Sequence, residues 1–334
     1  MFFNFSSLFF FPFLLLGVLI AVSSSSWFGA WLGLELNLLS FIPMISISTN
    51  SFLSEAALKY FLIQALGSAT IILASSFYLP LLSFSTSILM LALLLKMGAA
   101  PFHFWFPQVM SGMQWLQTII LLTIQKISPM ILVSYIYPFS FNTKLLTLSA
   151  VLSAIFGALG GFNSLNLRKI IAFSSINHMS WMLIAFYINS SLWVLYFLFY
   201  SLISSSIILF FFSQQSYSLS NTLNFFQPLS ILSLLPPFYL LSLGGLPPFS
   251  GFIPKWIIIQ AMMQQEMYFS LFFLLSSALI TLFYYLRISI PFFLIFSSSL
   301  SLYIKKKKAI SPFHIILGTV NFLGFMFPLW STLM

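Results

Sequence analysis

Cysteine is absent from the 334 residues, which excludes disulfides and thiolate metal sites. Charge is almost as scarce. Asp and Glu number 3, Lys and Arg 12, and charged residues make up only 4% of the chain, against about 25% in soluble domains. With 60% hydrophobic residues, no water-soluble fold could hide the apolar surface. The three histidines are far apart and form no metal-ligand spacing. No phosphate-binding glycine loop, dinucleotide fingerprint or nucleophile elbow occurs. No polar stretch is long enough to fold as an extramembrane domain. The opening "MFFNFSSLFFFPFLLLGVLIAV" has no basic leader and no small-residue cleavage site, so it reads as a first span and not a signal peptide. It also lacks the Arg-rich amphipathic pattern of an imported mitochondrial precursor.

What remains is a series of apolar runs of about 20 residues, the length of a bilayer-crossing helix. The runs are continuous and not alternating, which argues against a β-barrel. The expected fold is an all-α polytopic membrane protein of about eleven spans. These are 5–22, 26–46, 57–78, 85–107, 115–136, 144–163, 169–188, 191–213, 231–263, 268–290 and 311–332. The net charge of +9 suggests nucleic acid at first sight, but its distribution describes membrane topology instead. Lys59, Arg168, Lys169, Arg287 and the run Lys305 to Lys308 fall on the side of the N-terminus. Lys144 alone falls on the other. The positive-inside rule then puts the N-terminus in the cytoplasm or matrix. The Lys305 to Lys308 run reads as a solvated loop that can also meet anionic lipid.

Two segments repeat. "GAAPFHFWFP" at 98–107 and "GLPPFSGFIP" at 245–254 align at one constant offset. Gly98, Pro101, Phe102 and Pro107 match Gly245, Pro248, Phe249 and Pro254, with Pro247 beside the second proline. The segments lie in the fourth and ninth spans, so the repeat unit is five spans. An odd number inverts the second copy, the signature of transporter folds with paired broken helices. The expected divisions are 1–136 (broken helix about 85–107), 144–290 (broken helix about 231–263), and a basic loop with a last span over 291–334. Proline removes a backbone donor, and freed backbone groups are tolerated only against protein or a hydrated cavity.

Four charges stand inside apolar runs: Glu35, Lys96, Lys126 and Lys255. A charge there is costly, and loss of water penalises the charged form. That is the condition for exchanging a proton near neutral pH. One acid and three bases suggest a proton relay and not a metal cage. The bland readings differ by residue. Lys126 and Lys255 can snorkel, and Glu35 can be a structural ion-pair partner. Glu55 and Lys59, four apart, form an ordinary helix pair, although Lys59 could instead reach Glu35. His103 follows the first break, and His178 lies within "SSINHMSWM". Each is a packing residue or a relay member. Glu266 and His314 lie at span ends.

Six stretches occur in order: "WFGAWLGLELNLLSFIP", "SEAALKYFLIQA", "LKMGAAPFHFWFP", "IQKISPM", "GGFNSLNLRKIIAFSSINHMSWM" and "LLSLGGLPPFSGFIPKW". Over about 20–290 they resemble the subunit-2 family of mitochondrial NADH:ubiquinone oxidoreductase, respiratory complex I. Its members are antiporter-like membrane-arm subunits related to Mrp-type cation/proton antiporters. The Phe- and Ser-rich drift resembles an invertebrate product. The resemblance implies a multi-pass protein of the mitochondrial inner membrane, its N-terminus in the matrix and its C-terminus toward the intermembrane space. It implies proton translocation through Glu35, Lys96, Lys126 and Lys255, with His103, His178 and Lys59 as further relay positions. It implies no redox centre in this chain, while the whole complex uses FMN, iron–sulfur clusters and ubiquinone. The implied partners are neighbouring antiporter-like and small membrane subunits, with phospholipid such as cardiolipin, and no nucleic acid. Two other readings stand beside it: a non-transporting scaffold, and a self-standing cation/proton antiporter subunit.

Overall fold

The computed structural model describes residues 5–46, 50–77, 82–136, 140–219, 235–297 and 321. Helix dominates. Among the described residues the extended pairing is a lone bridge between Asn166 and Ser218. The chain divides into two compact units, Met1–Ser153 and Ala154–Met334.

The first unit holds α1 (Phe5–Ser23), α2 (Trp27–Ile45), α3 (Ser51–Ser76), α4 (Leu82–Met97), α5 (Trp105–Gly112), α6 (Trp115–Leu122), α7 (Ile124–Ile136) and the start of α8 (Ser140–Phe162). The Ser26 side chain caps α2 by accepting from the Gly29 amide, which satisfies one orphan donor at the helix start. α1 lies against α2 where Gly33 faces the backbone of Ala21. α3 and α4 pack together, and both α3 and α7 contact the broken segment.

The second unit holds the end of α8, then α9 (Leu167–Ile188), α10 (Ser190–Gln214), α11 (Leu235–Gly244), α12 (Phe252–Gln264) and α13 (Tyr268–Ser297). α9 is its centre, with almost every side chain from Leu167 to Phe186 buried. At one end of this unit the Arg168 guanidinium lies over the Tyr217 ring. Arg287 of α13 donates to the carbonyl of Phe162 at the end of α8. These two cations and Lys169 thus share the end where α9 begins and α8 stops.

Serine is common in these apolar helices, and the structure shows how it is tolerated. Ser68, Ser85, Ser149, Ser153, Ser174 and Ser206 each donate to the carbonyl three residues earlier in their own helix. No hydroxyl of this kind needs water. Large apolar side chains such as Leu58, Leu62 and Leu66 point outward from α3, as expected for a surface that meets lipid or other membrane helices.

Among the described residues seven helical stretches are long and apolar enough to cross a membrane, while Leu8–Ser23, Leu82–Met97 and Leu235–Gly244 are shorter apolar helices. The last two are the half-helices of the fourth and ninth predicted spans. The predicted span 115–136 is not one regular helix. It is interrupted at Thr123, where φ is −110° and ψ −79°. The Thr123 hydroxyl donates back to the Ile119 carbonyl at 2.7 Å, a side-chain bond that bends helices. The predicted span 311–332, the Lys305 to Lys308 run and His314 lie outside the described residues. Asn321 is the exception, being helical and buried, with its carbonyl accepting from the Ser250 amide at 2.9 Å.

Candidate functional site

Both predicted breaks exist, and they share one construction. Gly98 has φ +72° and Gly245 φ +79°, the left-handed conformation that favours glycine at a helix end. In the first break the Gly98 amide donates to Leu95 O and the Ala99 amide to Leu94 O. In the second, the Gly245 amide donates to Ser242 O and the Leu246 amide to Leu241 O. These are the same two closing bonds at the same places relative to the glycine. The helices resume at Trp105 and Phe252, equally far beyond their glycines.

In the first unit Lys96 occupies the last turn of α4 and is 7% exposed. Its aliphatic stem runs past Gly67 of α3, where a Cβ would lie 3.0 Å from Lys96 Cγ. The Gln64 amide donates to the Lys96 carbonyl at 3.2 Å, and the Trp105 indole to the Leu95 carbonyl at 3.2 Å. Side chains from α3 and α5 thereby satisfy carbonyls freed by the break. Glu35 of α2 acts electrostatically on Lys96, but the two do not form an ion pair. One Glu35 oxygen is buried without a hydrogen-bond partner among the described residues.

Lys126 stands one turn beyond the interruption at Thr123 and is 2% exposed. Its ammonium lies 5.1 Å from the centroid of the Phe106 ring, a cation–π arrangement. The ring belongs to α5, so the first break carries the face that receives this lysine. A cavity of about 20 Å³ is bordered by both Lys96 and Lys126, with Asn37, Tyr60, Gln64 and Gln125 on its wall. That is room for about one water molecule. A polar chain crosses the wall. The Tyr60 hydroxyl donates to Gln125 Oε1 at 3.1 Å, and Gln125 Nε2 donates to Asn37 Oδ1 at 2.9 Å.

His103 is buried in the linker between α4 and α5, lies tilted against the Phe104 ring and hydrogen-bonds backbone at Pro101. It does not border the cavity. Lys59 pairs with Glu55 at 2.6 Å, both side chains well exposed. The structure therefore realises the helix pair and not a contact from Lys59 to Glu35.

In the second unit Lys255 is 6% exposed. Its ammonium donates to the carbonyls of Leu243 at 3.2 Å and Gly244 at 2.8 Å and lies 5.9 Å from the centroid of the Trp181 ring. Trp181 and His178 are three apart on α9, hence on one face. His178 Nδ1 meets the Tyr196 hydroxyl at 2.8 Å, and Trp181 stacks on Tyr196. Tyr200 lies close to the His178 ring as well. Tyr285 of α13 comes near Ser174 of α9.

Sequence reasoning missed the neutral polar members: Asn37, Tyr60, Gln64 and Gln125 in one unit, Tyr196, Tyr200 and Tyr285 in the other. The available signal was weak but real. Each glutamine interrupts an apolar run, and Gln125 adjoins a buried lysine. Among the described residues no group of His, Asp or Glu gathers as a metal set.

Residues 24–83 and 77–281 match a family model described as NADH:quinone oxidoreductase/Mrp antiporter, transmembrane. NADH-ubiquinone oxidoreductase chain 2 of Anopheles gambiae is 45% identical over 291 residues, 84% of this chain and 84% of the relative. The chain 2 protein of Aedes aegypti is 42% identical over 326 residues, 95% of this chain and 94% of the relative. A chain of respiratory complex I from Thermus thermophilus superposes with a TM-score of 0.82 at 23% identity, covering 98% of this chain and 79% of that one. A chain of the Mrp complex from Dietzia sp. gives 0.72 at 16% identity, covering 83% and 58%. At these identities the two structures share a fold with this protein.

Proposed function

Because the chain belongs to the NADH-ubiquinone oxidoreductase chain 2 family of the NADH:quinone oxidoreductase/Mrp antiporter group, we propose that it is a proton-moving subunit in the membrane arm of a mitochondrial NADH:ubiquinone reductase. The observation that carries this reading is the cavity shared by Lys96 and Lys126. A lysine ammonium can hand its proton to a water there, and that water can protonate the second amine. One N–H bond breaks, one forms, and no redox group takes part. Glu35 is an acidic side chain whose charge acts on Lys96. A change of charge or position at Glu35 thus releases or reloads Lys96. Phe106 receives the cation at Lys126. In the second unit Lys255 and the His178–Tyr196 pair offer a second proton-holding station.

The two glycine breaks, alike in conformation and bonding, support an inverted repeat in which each copy carries one broken helix. With no cysteine, the chain has no thiolate to hold an iron–sulfur cluster. We assign FMN, the clusters and ubiquinone to other parts of the complex. The neighbours are then membrane-arm subunits, antiporter-like and small, and phospholipid such as cardiolipin. The clustering of Arg168, Lys169 and Arg287 at one end of the second unit supports a matrix-facing side there, in an inner-membrane protein with its N-terminus on that side.

Lys96→Met in the assembled complex tests the reading. Assembly is verified on the same sample in which NADH:quinone turnover and protons moved per electron are recorded. The expected result is normal assembly with a collapse of coupled turnover or a lower proton ratio. An unchanged rate and ratio would reject proton transfer through Lys96 and leave a scaffold.

A further inference from the structure

The second break raises a question of bonding that the first answers differently. A helix leaves its last four carbonyls without intrahelical partners. In α11 these belong to Leu241, Ser242, Leu243 and Gly244. Leu241 O accepts from the Gly245 and Leu246 amides, and Ser242 O accepts from the Gly245 amide. Leu243 O and Gly244 O remain, and the Lys255 ammonium takes both. In the first break the carbonyl matching Leu243 is that of Lys96, and it is held by a neutral amide, Gln64. Gln108, the residue matching Lys255, is exposed. The second break thus seats a cation on its helix end.

Among the described residues of the second unit, the surroundings of Lys255 fit a cation and supply no carboxylate. The chain has three acidic residues. Glu35 and Glu55 belong to the other unit, and Glu266 is exposed beyond the far end of α12. The negative end of the α11 dipole points at the ammonium. Two carbonyl oxygens contact it, and the π face of Trp181 covers it. Gly245 leaves the space, since a Cβ there would lie 2.8 Å from Lys255 Cδ and 3.0 Å from Nζ. Half-helix carbonyl ends of this type hold free monovalent cations in transporters.

We propose that the C-terminal end of α11 is a monovalent-cation site which the chain fills with its own tethered ammonium, and that removing the tether opens the site to a small alkylammonium ion. The half-helix backbone supplies to Lys255 the negative field that Glu35 supplies at longer range to Lys96. The inference stands on bonding geometry and does not require that Lys255 moves protons.

The test uses Lys255→Ala in the assembled complex, titrated with propylammonium, whose atoms replace those removed from Cγ to Nζ. Thermal denaturation of the complex is the binding readout. Propylammonium is expected to raise the midpoint of the variant by several degrees and leave the wild type unchanged. 1-Propanol, which is neutral, and tetramethylammonium, which has no N–H, are expected to shift neither the variant nor the wild type. No selective shift with propylammonium, or an equal shift with either control, overturns the site. Proton ratio is measured in parallel. A propylammonium shift with a wild-type proton ratio keeps the site and removes Lys255 from the transport reading. A lowered ratio restored by propylammonium supports both. Should the variant fail to accumulate, cells are grown with and without propylammonium. Recovery of assembled complex supports the site, and equal failure overturns it.

Discussion

The side-chain amide of Gln64 donates to the backbone carbonyl of Lys96 at 3.2 Å. The bond ties α3 to the last turn of α4, two residues before the glycine of the break. It fixes the residue that carries the proposed proton, yet touches none of its side-chain nitrogen.

Replacing Gln64 with leucine therefore separates position from charge. The variant leaves a buried carbonyl unpaired, which costs about 1–3 kcal/mol. We expect a lowered thermal midpoint for the assembled complex and a reduced coupled turnover. A leucine variant with both quantities unchanged would remove this bond from the account.

Glu35 is the charged side chain acting on Lys96, so Glu35→Gln removes the charge with little change in shape. Coupled turnover is expected to fall about three- to tenfold, the effect of roughly 1 kcal/mol on the barrier, with assembly intact. Lys59→Ala provides the contrast. Its partner Glu55 is exposed, and exposed pairs contribute about 0–1 kcal/mol. Proton ratio and turnover should stay at wild-type levels. A loss as large as that of Glu35→Gln would return Lys59 to the relay.

The breaks were legible because their chemistry is local. Glycine at a helix end and prolines after it restrict the chain whatever surrounds them. The lysines were legible because a charge in an apolar run is costly anywhere. The contacts of Gln64, Tyr60 and Gln125 were not legible, since a neutral polar side chain can equally face its own helix, lipid headgroups or a neighbour. Its partner depends on how α2, α3 and α7 are rotated against each other. The interruption at Thr123 was hidden for a related reason. Threonine fits an ordinary helix, and the return of its hydroxyl to Ile119 O is a rotamer choice that the sequence does not display. The seat of Lys255 on Leu243 O and Gly244 O was likewise invisible, because both acceptors are backbone.

Tyr196→Phe addresses the second unit. The substitution keeps the ring stacked on Trp181 and deletes the hydroxyl that meets His178 Nδ1 at 2.8 Å. Loss of a buried hydrogen bond costs about 1–3 kcal/mol, so the thermal midpoint should drop by a few degrees. If the pair holds a proton, coupled turnover also falls. A drop in midpoint with the proton ratio and turnover unchanged would assign the pair to packing alone.

Gly98→Ala and Gly245→Ala compare the two breaks directly. Both place a side chain in the left-handed region, at a cost of about 1–2 kcal/mol. The added methyl of Gly98→Ala lies 3.1 Å from the Phe106 ring, and that of Gly245→Ala lies 2.8 Å from Lys255 Cδ. An aromatic ring can tilt by a few tenths of an ångström at modest cost. The ammonium of Lys255 cannot yield without lengthening its bonds to Leu243 O and Gly244 O, the carbonyls that nothing else among the described residues is seen to hold. Gly245→Ala should therefore be the more damaging substitution, by roughly 1–3 kcal/mol beyond the shared strain. Thermal midpoints of the two assembled variants decide the order. If Gly98→Ala proved equally or more harmful, the lysine seat would contribute little and backbone strain alone would explain why both breaks use glycine.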